Sequence, residues 1–288
     1  MSTPQTILPQ LDFSAIDRYD ATDVGPCRLY RAGTTPAAGP PLLFVPGAYH
    51  GAWCYSHYLG YFAQHGLESF AIDLPGHGAR HAGMRPDLGI ADLAESLVAG
   101  CRHIARRVIL VGHSMGALPV LLAASEIDAA AIILLAPSPP GNLPGAQMVP
   151  PVPAGGLRPP PGAAEVRSRF AGLAPQAPVD ALCARLNAES ARILNERYQL
   201  SVHVDPERIA CPGVCFEAGQ DDADRHPPGQ DEAIARFLGF EHHVLAHQPH
   251  CMMYAEHWQE SASALLDWHG SLFGQTAGPM SFDQETRK

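Results

Sequence analysis

One short stretch restricts the fold of this chain more than any other. Val108-Ile109-Leu110-Val111 is an unbroken apolar run suited to a buried strand, and residues 117–124 form an apolar run suited to a buried helix. Between them stand only Gly112-His113-Ser114-Met115-Gly116. A strand must therefore turn into a helix within a few residues. Such a turn is tight, and the flanking glycines remove side chains where the two backbones approach. It pushes the Ser114 hydroxyl out at the carboxyl edge of the sheet, where open α/β sheets bind ligands. It also sets Ser114 at a helix N-terminus, whose free N–H groups favour developing negative charge. A plain helix cap would explain the serine, but not the two glycines around it.

The rest of the chain repeats the strand-then-helix pattern. Apolar runs at 42–45, 69–74, 108–112, 131–136, 213–218 and 243–246 read as buried strands. Weaker runs at 16–21 and 27–31 read as an antiparallel edge. Helical segments fall at 56–65, 90–106, 114–125, 231–238 and 257–273. The alternation predicts a doubly wound, mostly parallel eight-stranded α/β sheet. Residues 137–161 break it, being dense in Pro and Gly. Residues 165–200 then read as helical, with Leu182, Leu186, Ile193 and Leu194 as apolar positions. We read 137–205 as a cap inserted between core segments 1–136 and 206–273; a peripheral helical layer without a role is the alternative. Residues 274–288 are polar and read as a frayed tail.

Composition narrows the function. The net charge of −10 argues against nucleic acid or an anionic membrane as the main partner. No apolar run of spanning length and no secretory leader is visible. Seven cysteines, an odd number scattered over 288 residues, fit free thiols in a reducing cytoplasm better than a disulfide framework. Cys211 and Cys215 are the strongest local pairing candidates, but a strand through both would merely put them on one face. Glu241, His242, His243 and His247 suggest a metal site only superficially, because adjacent strand residues point to opposite faces.

The serine turn, with a strand before it and a helix after it, resembles that of the α/β-hydrolase superfamily, and the resemblance runs from about Leu42 to Trp268. A serine needs a base beside it. The resemblance implies His250, in His247-Gln248-Pro249-His250, followed by Met252, Met253, Glu256 and Trp258. Pro249 stands where the family usually has Gly, and His247 is the runner-up base. The acid is implied just past the penultimate strand, in Gly219-Gln220-Asp221-Asp222; the family pattern selects Asp222, with Asp221 one residue away. The oxyanion donors are implied at the amides of Ala48 and Met115. The stretch around His50-Gly51-Ala52-Trp53 is similar to the loop of plant methyl esterases and hydroxynitrile lyases. Tyr49, His50, Trp53 and Met252 are substrate-lining candidates. The turn Asp73-Leu74-Pro75-Gly76-His77-Gly78 is read as shaping a loop rather than acting in catalysis.

These readings imply hydrolysis of a small-molecule carboxylic ester or thioester through an acyl-enzyme, with no cofactor and no metal. Two alternatives remain open. One is a lyase on the same fold, although the Lys carried by the plant lyases near the acid turn has no counterpart between Gln220 and Ala223. The other is a non-catalytic receptor for a small molecule. Epoxide and haloalkane hydrolysis fit poorly, because the related enzymes use Asp as nucleophile.

Overall fold

The computed structural model describes residues 7–33 and 39–274. Beyond Gly274, the tail expected to fray lies outside them. Strands β1 (Asp20–Val24) and β2 (Cys27–Ala32) form a hairpin closed at Gly25-Pro26, with Gly25 at φ 55°. Then follow β3 (Leu42–Val45), α1 (Ser56–Gln64), β4 (Ser69–Asp73), α2 (Ile90–Ile104), β5 (Ile109–His113), α3 (Ala117–Ala124) and β6 (Ala131–Leu135). The segment after β6 holds a two-residue strand β7 (Leu157–Arg158), the short α4 (Ala163–Glu165) running into a π-turn over Val166–Phe170, α5 (Asp180–Cys183), β8 (Glu189–Ser190) and α6 (Ala191–Tyr198). The chain ends with β9 (Gly213–Ala218), α7 (Gln230–Leu238), β10 (Glu241–Leu245) and α8 (Trp258–Phe273).

Eight strands form one sheet in the order β1-β2-β4-β3-β5-β6-β9-β10. The hairpin is antiparallel to its neighbour and the other pairs are parallel. Side-chain alternation divides the core in two. Leu42 and Phe44 enter the cluster beneath α1 and α8, while Leu43 and Val45 enter the one beneath α2, α3 and α7. This is the doubly wound arrangement that the sequence implies.

Three local readings change. The first strand starts at Asp20 rather than residue 16, because Ile16 turns inward as a core anchor in a 3-10 turn over Ser14–Arg18. The last strand starts at Glu241 and is an exposed edge, not a buried strand; Val244 is 53% exposed. Its charged and histidine side chains suit an edge that must not pair with another chain. Third, 165–200 is not one helical stretch: Gly172, Pro175 and Pro178 interrupt it, although Leu182, Leu186, Ile193 and Leu194 are all buried. All seven cysteines are free thiols, including Cys211 and Cys215. No described helix is long and apolar enough to cross a membrane.

Asp73, at the end of β4, ties together the loops at this part of the carboxyl edge. Its carboxylate accepts from the Ala52 N–H at 2.6 Å, the Ala79 N–H at 2.9 Å and the Tyr30 hydroxyl at 3.2 Å. The turn that follows thus has the shaping role read from sequence. Asp73→Ala strands the Ala52 N–H in the core, and an unsatisfied buried donor with lost loop contacts costs about 2–4 kcal/mol. Urea denaturation measures this; a loss below about 1 kcal/mol, the usual net worth of one hydrogen bond, refutes the role.

Candidate active site

Ser114 sits immediately after β5 with φ 52°, in the left-handed region that a non-glycine residue occupies only under strain. Both flanking glycines are sterically required. A Cβ on Gly112 would lie 2.8 Å from Ala117 Cα, and one on Gly116 would lie 2.4 Å from the Pro46 carbonyl oxygen. The second contact seats the turn directly on the loop after β3.

The loop after β10 brings His250 to this turn. The Ser114 hydroxyl donates to His250 Nε2 at 3.0 Å, and His250 Nδ1–H donates to Asp221 Oδ2 at 2.6 Å. The acid at the imidazole is therefore Asp221, not Asp222. Register explains the correction. Gly219 N–H donates to Leu245 O and Gln220 N–H to Gln248 O, so the acid turn is tied to the base loop. The next residue, Asp221, then faces the ring. Its other oxygen accepts its neighbour's N–H, from Asp222, at 2.7 Å. Asp222 turns to Arg169 Nε at 2.7 Å. Pro249 fits in the position where Gly was expected because it packs over Gly172, where an added Cβ would meet Pro249 Cβ at 2.8 Å. His247 is exposed and away from the serine.

The amides of Ala48 and Met115 flank Ser114 in one pocket, and among the described residues neither has a protein acceptor. The Ala48 loop is held from several sides. His50 Nδ1–H donates to Ala48 O at 2.8 Å, while His50 Nε2 accepts from the Tyr254 hydroxyl at 2.9 Å. Tyr49, at φ 68°, donates its N–H to the buried Glu189 carboxylate at 3.1 Å, and its carbonyl accepts from Asn187 N–H at 3.0 Å. Glu189 also accepts from His77 Nε2 at 2.9 Å.

Tyr49 and His50 line the pocket as expected from sequence, but Trp53 and Met252 do not. Trp53 packs edge-on against Phe13 at 4.7 Å, and Met252 is fully buried in the core. Helical geometry turns both inward, toward the apolar cluster beneath α1 and α8. Sequence reasoning missed Arg169, Phe170, Leu194, Arg197, Tyr198, Arg225 and His226, which complete the lining. The signal for Leu194 and Arg197 was their spacing of three on one helix, which puts them on one face; nothing local marked the others.

Electrostatics favour a neutral His250 and an ionised Asp221. Burial pushes His250 below its ordinary value; Asp221 opposes this but does not overcome it. Burial would raise Asp221, but the His250 charge and hydrogen bond, His226 and the Asp222 N–H outweigh it and hold it at about 2. Burial and the nearby Asp221 and Glu217 carboxylates push Asp231 up to about 8, so it is mostly protonated at neutral pH. Burial lowers His226 to about 4. Asp221, His226 and His250 form a cluster with metal-ligand atoms within 4.8 Å of one another. Both nitrogens of His250 are already engaged, however, leaving no lone pair for an ion.

A sequence profile described as the alpha/beta hydrolase family matches residues 42–264. Comparison with curated proteins returned no match. Among solved structures, the chain is similar to a methylesterase from Arabidopsis, with 21% identity and a TM-score of 0.64, over 81% of this chain and 100% of that one. It is also similar to a putative lipase from Acinetobacter baumannii, with 14% identity and a TM-score of 0.68, over 94% and 99%. A tomato methylketone synthase complexed with 2-tridecanone gives 18% identity and a TM-score of 0.63, over 81% and 98%. At these identities the likeness is one of fold.

The two aspartates can be told apart without turnover. The Asp221 charge favours the imidazolium, so Asp221→Asn lowers the His250 pKa further, by about 1 unit or more for loss of an adjacent charge. Asp222→Asn leaves it near wild type. Imidazole titration by NMR reads both variants; the reverse order would move the acid to Asp222.

Proposed function

The chain belongs to the alpha/beta hydrolase family, and on that premise we propose that it is a serine esterase or thioesterase acting on a small-molecule substrate through an acyl-enzyme. The observation that carries this reading is the unbroken relay from Ser114 through His250 to Asp221, at 3.0 and 2.6 Å. Ser114 Oγ attacks the carbonyl carbon while His250 Nε2 takes its proton. Asp221 holds the ring in the tautomer that leaves Nε2 free and stabilises the imidazolium that forms. The amides of Ala48 and Met115 receive the oxyanion, each contributing on the order of 3 kcal/mol to lowering the barrier. The tetrahedral species collapses, the C–O or C–S bond breaks, and the leaving group takes the proton from His250. Water then attacks the acyl-serine with His250 again as base. Collapse breaks the acyl–Oγ bond, and Oγ recovers the proton as the acid is released.

The strained turn supports this assignment. A φ of 52° at Ser114 gives the hydroxyl no advantage as a helix cap, but it brings Oγ within reach of the imidazole. The methylesterase and lipase among similar structures agree with an ester as substrate.

Ser114→Ala abolishes labelling by a fluorophosphonate and lowers p-nitrophenyl ester turnover by roughly 10⁴-fold or more, as loss of a nucleophile in a cooperating triad does. Labelling that survives at another serine ends the assignment. The pH profile carries its own sign. His250 must be neutral to accept the proton, so kcat/KM falls as pH drops through its folded-state pKa. That acid limb lies below the ordinary histidine value of about 6.5. A limb centred above about 7 would contradict the environment described for His250.

A further inference from the structure

The pocket holds more positive charge than its own carboxylates neutralise. Asp221 is committed to His250 and Asp222 to Arg169. Arg197, from α6, has no carboxylate within ion-pair distance among the described residues. Its Nε donates to Ser138 Oγ at 2.6 Å, and its guanidinium carbon lies 5.1 Å from the Tyr198 ring centroid. It makes no other hydrogen bond to a described side chain, although it is only 8% exposed and lines the pocket that holds Ser114. Arg225 lines the same pocket, donating to the Tyr198 hydroxyl at 2.9 Å, and likewise lacks a carboxylate. Placing a guanidinium without a paired carboxylate in a desolvated pocket is unfavourable. Such a group persists where a ligand supplies the counter-charge, and a planar guanidinium matches a carboxylate through two parallel N–H donors.

We propose that Arg197, backed by Arg225, binds a carboxylate of the substrate, so that the natural substrate is an acidic ester or thioester such as the half-ester of a dicarboxylic acid. This inference deepens the acyl-enzyme reading and rests on it for the word ester. The bond from Arg197 to Ser138 fixes its distance from the nucleophile, because the Ser138 N–H donates to the Ser114 carbonyl at 3.0 Å. A carboxylate held by Arg197 therefore sets the position of the scissile carbonyl relative to Ser114. Electrostatics agree in direction: burial lowers the Arg197 pKa, the Arg225 and Arg169 charges add to that, and Tyr198 and Asp221 oppose it without overcoming it.

The test pairs acidic and neutral esters of matched length: p-nitrophenyl hemisuccinate and hemiglutarate against p-nitrophenyl butyrate and valerate. The wild-type enzyme prefers the acidic member by about tenfold or more in kcat/KM, the scale of one charge-assisted pair in a desolvated pocket. Arg197→Met shrinks that ratio by about tenfold, chiefly through KM, and Arg197→Lys restores part of it, because lysine keeps the charge but not the fork. Equal or lower kcat/KM for the acidic esters in the wild type overturns the inference, as does an unchanged ratio in Arg197→Met. Either result leaves the esterase reading standing if neutral esters are cleaved at Ser114.

A second measurement needs neither turnover nor a variant that folds. Glutarate binds the wild-type enzyme in calorimetry, and dimethyl glutarate does not displace it. Absence of glutarate binding overturns the inference by itself, and tighter binding of inorganic phosphate than of glutarate overturns its assignment to a carboxylate.

Discussion

A backbone contact sets the geometry of this site. The Gly116 Cα lies so close to the Pro46 carbonyl that a Cβ there would sit 2.4 Å from its oxygen. Across the same seam, a Cβ on Gly47 would lie 3.0 Å from Ser114 Cβ. The loop that carries the Ala48 amide and the turn that carries the Met115 amide are thus held together by atoms with no rotamers. Backbone N–H donors are useful to the degree that they need no reorganisation when charge develops. Main chain pressed on main chain supplies that rigidity, and the strain at Ser114 is tolerated because β5 and α3 are both buried around it.

The segment between β6 and β9 is bonded into that frame. Its buried Glu189 takes the Tyr49 N–H and pairs with His77, whose pKa is raised because the Glu189 charge and hydrogen bonds outweigh burial. Its Phe170 carbonyl accepts the Cys251 N–H at 2.9 Å, one residue beyond the base. The loop of Ala48 and the loop of His250 are therefore both bonded to the same inserted segment. A buried ion pair adds little net stability over an apolar pair, but losing one partner leaves a buried charge. The pair accordingly holds the segment in one register more than it stabilises the fold.

The fold was legible because it rests on patterns that sequence displays directly: short unbroken apolar runs for strands buried on both faces, such as 42–45, and a serine turn bracketed by glycines. Ser114 came with that pattern, while His250, Ala48 and Met115 were implied by the resemblance to the α/β-hydrolase superfamily. Neither fixed the acid. Asp221 and Asp222 are chemically identical neighbours, and the choice is made by two backbone hydrogen bonds, from Gly219 to Leu245 and from Gln220 to Gln248. Those bonds join segments that no local pattern relates. Trp53 and Met252 failed for the opposite reason: aromatic and thioether side chains near a site are ordinary core material, and here they pack inward. The arginines of the pocket were hard to group from sequence because they arrive from 169, 197 and 225, on three separate stretches, and only Arg197 carried a local signal.

The placement of those arginines also explains why one aspartate of the pair can work while the other stands beside it. Two carboxylates on adjacent residues would raise each other's pKa and weaken the hold on the imidazolium. Arg169 neutralises Asp222, and the third nearby acid, Asp231, is protonated near pH 7 because burial and its acidic neighbours push it up. Asp221 is left as the carboxylate whose charge acts on His250. The guanidiniums of Arg197 and Arg225 have no carboxylate within ion-pair distance among the described residues, although the Asp221 charge acts on Arg197 through space. The same arrangement that orients His250 therefore also leaves three guanidiniums beside two aspartates in the pocket.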